Sequence, residues 1–415
     1  MRCATERLSP WSTATMWHIA TAALLAVITF AAKPAPAQTF TTIYSFPGGT
    51  SGAYAGSGLI VRADGYLIGG TQQGGDQSCQ SPFGCGVLFS VSPEGTESVL
   101  HSFAGSVTED GASPAGLVLD AKTALIYGTT SGGGVATDAC VDGCGTVYSL
   151  NAKGKETILH NFSGSPDGSL PLGNLILDPS GNLYGVTFYG GGLSGESGNG
   201  TVFEINNSAT ESLLYKFAPS PNGTNPNGGF VRDSAGNFYG TTTYGGTGSC
   251  NNGFAPGCGT VFEVNSSGVE TILYNFTGGN DGQYPSSLII DNAGNLYGLA
   301  GYNGYGDVFK IDTSGNFSVL YNASFAAQIG SIILGPAGSF YGTASGGNSA
   351  CSGGCGLVFR LSPNSSGSYT ETAIHTFDGT DGTYPENLVL FHGVLYGATY
   401  EGGASNYGTL FKLVL

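Results

Sequence analysis

The sequence predicts an all-β fold, a seven-bladed β-propeller with four strands in each blade. One phrase occurs seven times and reads, with variations, L-I-x-D-x-x-G-N-L-Y-G-T-T-x-x-G-G, a loop, G-T-V-F, and then E-T-x-L-(Y/H)-x-F. A repeat of about 50 residues without a helical period is typical of a propeller rather than of a helical solenoid. The two ends of the chain also complete each other, which favours a closed ring.

Two steps of the repeat count the blades. The tyrosine of the Tyr-Gly step is replaced by Ile68 in the first copy and recurs in the others, at Tyr127, Tyr184, Tyr239, Tyr297, Tyr341 and Tyr396. The aromatic residue of the Val-Phe step occurs at Phe89, Tyr148, Phe203, Phe262, Phe309, Phe359 and Phe411. Seven occurrences in register predict seven blades.

Each copy divides into four strand-like runs. In one copy, residues 288–290 form an apolar run that is typical of a strand near the propeller axis, and residues 291–295 form a turn. The second strand begins at Leu296, and the third and fourth runs cover residues 308–311 and 317–321. This order predicts the four strands of one blade.

The two chain ends supply complementary parts of one blade. Residues 41–46 match the fourth run of other copies, such as residues 271–276. The last copy ends with its third run, residues 408–413, and lacks a fourth. We therefore expect the N-terminal strand to complete the last blade, which closes the ring and covers its exposed strand edges.

Residues 1–37 resemble a secretory signal peptide, and residues 38–415 form the predicted propeller. Arg2 and Arg7 precede an apolar run at residues 19–32, and a small-x-small cleavage signal follows at residues 35–37. The run is shorter than the roughly 20 residues that span a membrane. These features predict a monomeric protein in the periplasm or outside the cell, without membrane insertion after cleavage.

The charge of the chain excludes some partners. Removing the three basic residues and one acidic residue of the leader changes the formal net charge from −16 to −18 and leaves nine Lys and Arg. Such an anionic surface repels phosphate backbones and anionic lipids, so nucleic acid is not an expected partner. Neutral glycans, proteins and cations remain open.

The repeat resembles that of the bacterial GloVer tandem-repeat proteins. The resemblance rests on residues 182–185, 244–246 and 259–262, together with their counterparts in the other copies, and it covers nearly everything after the leader. The blades are also similar to NHL repeats, which share the D-x-x-G-N-L-Y turn. The resemblance implies an exported repeat protein of unassigned activity and supplies no catalytic residues.

Eight cysteines lie in the hairpin loops before the Gly-Thr-Val-Phe step. They form local pairs, so we predict the disulfides Cys79–Cys85, Cys140–Cys144, Cys250–Cys258 and Cys351–Cys355. A zinc site is the alternative, because a C-x3-C pair can supply two ligands. It would require two loops to converge from blades that are mostly not adjacent, so no metal site is assigned to these cysteines.

The propeller topology sorts the loops onto two faces. One face, called here the long-loop face, carries the Gly-Gly hairpin loops and the inter-blade segments that connect each fourth strand to the next blade. The inter-blade segments share a polar residue, at Asp110, Asp167, Asn222, Asp281 and Asp381. Repeated Asx turns explain these residues structurally. A rim that binds Ca²⁺ or sugar hydroxyls is the functional alternative.

Aromatic residues outside the repeated positions are the second set of candidate binding residues. They lie in or near the long loops, at Tyr54, Phe83, Phe254, Tyr302, Tyr305, Tyr400 and Tyr407. Exposed aromatic faces can stack on sugar rings and leave the sugar hydroxyls free for hydrogen bonds. Tyr302, Tyr305 and Tyr400 are therefore grouped with the inter-blade residues as predicted binding residues on the long-loop face.

The histidines do not form a catalytic group in the sequence. His101, His160 and His375 occupy an outer-strand position that holds tyrosine in other copies, and no nucleophile elbow or metal-binding histidine cluster occurs. We therefore expect a binding module for an extracellular glycan or protein, with no cofactor required. An extracellular lyase or glycoside hydrolase that uses carboxylates on the long-loop face is one alternative. A purely structural envelope protein is another.

Overall fold

Seven antiparallel sheets of four strands each form the described part of the chain. The computed structural model describes residues 38–192, 198–251, 253, 255–302, 305–323, 328–346, 351, 354–365 and 367–415. The predicted signal peptide, Phe254 and the side chains of Tyr302 and Tyr305 lie outside this description. Within the described residues, Gln38–Leu415 forms one compact unit.

The strands follow one another along the chain without any intervening α-helix in the described residues. They are β1 (Thr39–Ser45), β2 (Ala53–Val61), β3 (Leu67–Gln73), β4 (Val87–Val91), β5 (Glu97–Ser102), β6 (Gly111–Asp120), β7 (Leu125–Gly133), β8 (Thr146–Leu150), β9 (Glu156–Asn161), β10 (Ser169–Leu177), β11 (Leu183–Tyr189), β12 (Thr201–Ile205), β13 (Glu211–Lys216), β14 (Gly223–Arg232), β15 (Phe238–Gly245), β16 (Thr260–Val264), β17 (Glu270–Asn275), β18 (Ser287–Ile290), β19 (Leu296–Tyr302), β20 (Tyr305–Ile311), β21 (Phe317–Asn322), β22 (Ile329–Leu334), β23 (Phe340–Ala344), β24 (Leu357–Pro363), β25 (Tyr369–Thr376), β26 (Thr383–Phe391), β27 (Val394–Glu401) and β28 (Thr409–Val414). Three short 3-10 turns cover Gly49–Ser51, Ser106–Thr108 and Pro336–Gly338.

The predicted seven-bladed propeller is confirmed, including its closure. Six blades take four consecutive strands, from β2–β5 to β22–β25, and the seventh has the order β1-β28-β27-β26. Strand β1 pairs with β28 from Thr39 opposite Val414 to Ser45 opposite Thr409. The first strands of neighbouring blades contact each other around the whole ring, so they lie next to the axis.

The Tyr-Gly and Val-Phe steps recur together because they contact each other within each blade. Gly185 lies opposite Phe203 in the pairing of β11 with β12. A Cβ atom on Gly185 would approach the Phe203 ring to 2.5 Å, so only glycine leaves room for this ring. Two buried threonines link the same strands, with the Oγ1 atoms of Thr187 and Thr201 2.8 Å apart.

Aromatic residues also hold most neighbouring blades together. The phenylalanine that ends a fourth strand packs edge-on against the third-strand aromatic residue of the next blade. Phe276 and Phe309 have ring centroids 5.4 Å apart, and Phe217 and Phe262 have centroids 5.0 Å apart. All four rings are buried to 5% exposure or less, so the repeated E-T-x-L-(Y/H)-x-F phrase encodes the contact between blades.

The four predicted disulfides are present, with Cα–Cα distances from 4.9 to 5.6 Å. They indicate that the chain folds in an oxidising compartment, outside the reducing cytoplasm. None of the helical segments in the described residues is long and apolar enough to span a membrane.

Candidate functional site

Seven equivalent residues, one from each first strand, surround the propeller axis. Each lies one position after the proline, or its replacement, that stands in or just before the first strand of a blade. This axial slot holds Gly56, Ala115, Leu172, Asn227, Ser286, Gly330 and Glu386. All seven line one of two cavities, of about 360 Å³ and about 320 Å³. Asn387 lines both cavities, so the two adjoin.

The axial cavities are lined mostly by uncharged groups that form hydrogen bonds. Side chains beside the axial slot that line the larger cavity are Ser57, Gln72, Ser113, Ser131, Asn174 and Asn387. Those that line the smaller one include Gln328, Ser345, Tyr384 and Asn387. Among the described lining residues there is no Lys, Arg or His, and Glu386 is the only carboxylate.

Glu386 lies where blade seven meets blade one. An ideal Cβ on Gly56 would lie 2.6 Å from the Glu386 Oε2 and 3.4 Å from the Tyr400 ring, so the glycine leaves room for both side chains. Asn387 fixes the same junction by donating a hydrogen bond to the Gly56 carbonyl oxygen at 2.9 Å. Burial raises the pKa of Glu386 to about 7.

Tyr400, next to this carboxylate, belongs to a group of three packed tyrosines. Tyr54 packs against Tyr400 with ring centroids 4.9 Å apart, and Tyr407 contacts Tyr54 edge-on at 5.9 Å. Tyr400 donates a hydrogen bond to Gln72 Oε1 at 3.3 Å. Burial raises the pKa of Tyr400, and the charge of Glu386 raises it further. The predicted site residue Tyr400 therefore lies beside the axial slot.

A second ring of residues has a backbone conformation that is uncommon outside glycine. These residues directly precede the proline position of the first strand, and all have φ between 51° and 62°: Tyr54, Ser113, Leu170, Asn225, Tyr284 and Tyr384. Each such residue costs about 1–3 kcal/mol and persists only where surrounding contacts hold it. We call this set the left-handed ring. Three of its six members are tyrosines.

The cysteine loops help to hold the left-handed ring. The N–H of Tyr284 donates to the Cys258 carbonyl oxygen at 2.8 Å, and the N–H of Tyr384 donates to that of Cys355 at 3.0 Å. Ser113 and Leu170 make the same bond to Cys85 and Cys144, respectively, whereas Asn225 and Tyr54 use residues that are not cysteines. Each disulfide therefore stiffens the loop that positions one residue of the next blade.

The predicted inter-blade carboxylates are not brought to the axis but bond to the outer strand of their own blade. Asp167 is the clearest case, because it accepts hydrogen bonds from His160 at 2.9 Å, from Ser163 N at 3.1 Å and from Ser163 Oγ at 2.6 Å. Burial alone would raise the pKa of Asp167, but the bonds from His160 and Ser163 lower it below its usual value.

The other predicted inter-blade residues have equivalent partners. Asp110 contacts His101 at 3.2 Å, Asp381 contacts His375 at 2.8 Å, and Asp281 accepts a hydrogen bond from Tyr274 at 3.0 Å. Asn222 lies close enough to Tyr215 to lower the pKa of that tyrosine, against the larger effects of burial and Glu270. N–H and O–H donors thus point at the oxygens that a Ca²⁺ ion would need. This geometry favours the structural interpretation of the predicted rim over a calcium site.

The same outer-strand residues also join neighbouring blades. Where the next outer strand begins with Glu, the Tyr or His contacts it, as in Tyr44–Glu97 at 2.8 Å and Tyr215–Glu270 at 2.5 Å. Where it begins with Phe, the rings stack instead, as in Tyr274–Phe317 with centroids 3.8 Å apart. Each such set contains the Tyr or His of an outer strand, the inter-blade polar residue of the same blade, and the Glu or Phe of the next outer strand. We call this set an outer junction.

One outer junction brings three groups together that could hold a metal ion. Ligand atoms of His101, Asp110 and Glu156 lie within 4.8 Å of one another. Burial, followed by the hydrogen bond to Asp110, raises the pKa of Glu156 to about 9, while Asp110 keeps a lowered pKa. One proton shared between the two carboxyl groups explains why the pKa of Glu156 is raised while that of Asp110 is lowered. The arrangement belongs to the repeated junctions and needs no ion.

Sequence reasoning missed Glu386 and the left-handed ring. A signal existed, because aligning the seven copies at the proline shows one acidic residue among small or uncharged ones. Of the aromatic candidates, Tyr54, Tyr400 and Tyr407 do come together, whereas Phe83 lies exposed in a cysteine loop. Tyr302 and Tyr305 pair across β19 and β20 in the backbone, and their side chains are outside the described residues.

Comparison with known proteins identifies the repeat. The family model of the Gloeobacter/Verrucomicrobia repeat matches residues 28–252 and 194–411. The chain belongs to this repeat family. The resemblance to GloVer proteins is therefore confirmed. A search of curated proteins found no match.

Solved structures share the fold at low sequence identity. Virginiamycin B lyase from Staphylococcus aureus in complex with quinupristin has a TM-score of 0.60 at 14% identity, covering 91% of this chain and 99% of that one. A streptogramin B lyase has a TM-score of 0.59 at 14% identity, covering 91% and 97%. An oligogalacturonate lyase in complex with manganese has 0.53 at 10% identity, covering 91% and 96%. These similarities show the propeller fold alone.

Proposed function

We propose that this propeller is a binding module that recognises a polyhydroxylated ligand without acidic groups, namely a glycan, at the axial end of the long-loop face. The observation that carries the proposal is the lining of the axial cavities, which includes Ser, Asn and Gln side chains together with Tyr384. Tyr400, which packs on Tyr54, donates a hydrogen bond to the lining residue Gln72. Amides and hydroxyls can exchange hydrogen bonds with sugar hydroxyls, while tyrosine faces can stack on sugar rings.

The enzyme alternative depends on carboxylates that converge near the channel. A glycoside hydrolase uses two carboxylates that flank the scissile bond. Among the described residues, Glu386 has no carboxylate partner in the lining of either cavity, and burial is the only cause of its raised pKa. A lyase-type reaction with Glu386 as a single base is therefore the form of this alternative that the geometry supports better.

An array of uncharged and acidic oligosaccharides, probed with and without EDTA, tests the binding proposal. We expect signals for uncharged sugars that EDTA leaves unchanged, and affinity about tenfold weaker for Tyr400→Ala because one stacking face is lost. Tyr66→Ala is the matched control, since Tyr66 is 38% exposed in a turn on the opposite face. Silence across the array, or equal losses in both variants, would contradict the proposal.

Mass spectrometry of the bound sugars separates binding from turnover. The binding proposal expects every sugar to be recovered intact. Cleaved products that disappear with Glu386→Gln would instead establish the lyase-type alternative.

A further inference from the structure

Glu386 breaks the chemical uniformity of the axial slot. The other six residues of the slot are glycine, alanine, leucine, serine or asparagine, and none of them carries a charge. Glu386 is partly buried and, in the part of the chain that the structure describes, receives no hydrogen bond from the protein. A carboxylate in this position has lost part of its hydration without gaining a donor, which is unfavourable unless a ligand supplies one.

The surroundings of Glu386 are suited to a positively charged nitrogen. The ring of Tyr400 lies beside the carboxylate, Tyr54 packs on Tyr400, and Tyr384 lines the same cavity as Glu386. A carboxylate next to aromatic faces is a combination that attracts ammonium groups. No basic residue among the described lining residues competes for the position.

A metal ion fits this position less well than an ammonium group. Ca²⁺ takes six to eight oxygen ligands and usually several carboxylates. The described lining of the smaller cavity contains one carboxylate, so most ligands would have to be neutral amides, hydroxyls or carbonyls.

We propose that the sector formed by Glu386, Tyr384, Tyr400 and Tyr54 binds a protonated primary amine, so that the module prefers an amino sugar with a free amine over the same sugar in N-acetylated form. This inference rests on the glycan-binding function proposed above and names the ligand class of the same site. The Glu386 carboxylate accepts hydrogen bonds from the ammonium group, and the neutral part of the cavity binds the remaining hydroxyls.

Two sugars that differ only in the amine test the inference. Calorimetry at pH 7 and about 0.15 M salt would compare a glucosamine trimer with an N-acetylglucosamine trimer, because this salt concentration screens the long-range attraction of the acidic surface. We expect the wild-type protein to bind the free amine about tenfold more tightly. In Glu386→Gln we expect this preference to disappear, so that the two trimers bind with equal affinity.

Two further variants make the result specific. Glu94→Gln changes the net charge equally but lies in an exposed turn on the opposite face, and it should keep the preference. Gly56→Ala retains every charge, yet its new Cβ would lie 2.6 Å from the present position of the Glu386 Oε2 and displace the carboxylate. We therefore expect Gly56→Ala to lose the preference for the free amine as well. This variant still tests the inference if Glu386→Gln does not fold.

The outcomes separate the inference from the function on which it rests. Equal binding of both trimers by the wild-type protein overturns the amine preference and leaves glycan binding intact. If Glu94→Gln abolishes the preference as fully as Glu386→Gln does, the proposed amine site at Glu386 is also overturned, because the net charge of the protein would then be the cause. Binding of neither trimer overturns both proposals for these sugars.

Discussion

The outer junctions and the axial slot are both built from positions that recur in every blade, but they differ in how far their chemistry varies. At five of the outer junctions the residue opposite the Tyr or His is a Glu, and at the other two it is a Phe. Two kinds of contact are therefore sufficient for all seven blades. The axial slot holds Gly, Ala, Leu, Asn, Ser and Glu in a ring of seven.

This difference separates structural from functional positions within one chain. A contact that every pair of blades needs restricts each copy in the same way, because the same strands must pack at the same distance. Residues that face the axis contact solvent or a ligand, so each copy can differ. Repetition therefore points to the fold, and a single exception at an axial position points to recognition.

The largest expected effect tests whether an outer junction is structural. Asp167→Ala removes the acceptor of His160 and Ser163 in a buried position, so we expect the free energy of unfolding to fall by about 3 kcal/mol in urea denaturation. Asp138→Ala, in an exposed part of the same face, should change it by less than about 0.5 kcal/mol.

The opposite result would place Asp167 in the binding site. If Asp167→Ala unfolded like the wild-type protein but lost ligand binding, the inter-blade carboxylates would belong to the binding site, as the functional alternative in the sequence analysis held.

A smaller effect comes from the shared proton at the junction of blades one and two. The folded-state pKa of Glu156 is raised to about 9 by burial and by Asp110, above its ordinary value of 4.5. The folded chain therefore binds more protons than the unfolded chain between these values. The stability that this group contributes is complete below pH 4.5 and is lost as pH rises towards 9.

Urea denaturation between pH 6 and pH 9 measures this loss. His101, Asp110 and Tyr148 are the titratable groups near Glu156, and burial keeps the pKa of Tyr148 far above this range. Glu156→Gln should flatten the pH profile, because the amide mimics the protonated carboxyl group, whereas Glu94→Gln should not. An unchanged slope in Glu156→Gln would show that another group titrates.

The sequence predicts the fold well because the blade is a local unit. The Tyr-Gly and Val-Phe steps lie on two adjacent strands of the same blade. The match between residues 41–46 and the missing last strand predicts the pairing of β1 with β28 that closes the ring. The cysteine pairs were also predictable, since each pair lies within one hairpin loop.

The site was less predictable because it is made by residues from different blades. Repetition made Asp110 and its equivalents candidate binding residues. Their hydrogen-bond partners are a His or Tyr six to nine residues earlier, and this spacing was visible in the sequence. Glu386 is distinguished only by its place in the ring. Its proximity to Gly56 and Tyr400 depends on closure of the ring, which no single repeat shows.

The smallest expected effect concerns the first blade, which lacks both members of a contact that other blades contain. In three other copies the Tyr of the Tyr-Gly step donates a hydrogen bond to the turn aspartate, as Tyr239 does to Asp233 at 3.1 Å. The first copy replaces both members, with Ile68 for the tyrosine and Arg62 for the aspartate. A largely apolar cavity of about 350 Å³ lies beside Ile68.

If this position is structural, restoring the pair should fill the cavity without affecting the axial site. We expect Arg62→Asp with Ile68→Tyr to raise the free energy of unfolding by about 1 kcal/mol, and Ile68→Tyr alone to gain less because its hydroxyl group lacks the aspartate acceptor. Urea denaturation of the wild-type protein, the single variant and the double variant measures both changes in the free energy of unfolding. Because the cavity is lined by turns and strands remote from the long loops, sugar binding should stay unchanged. A double variant that is no more stable and binds sugar more weakly would mean that copy one diverged for function on this face too.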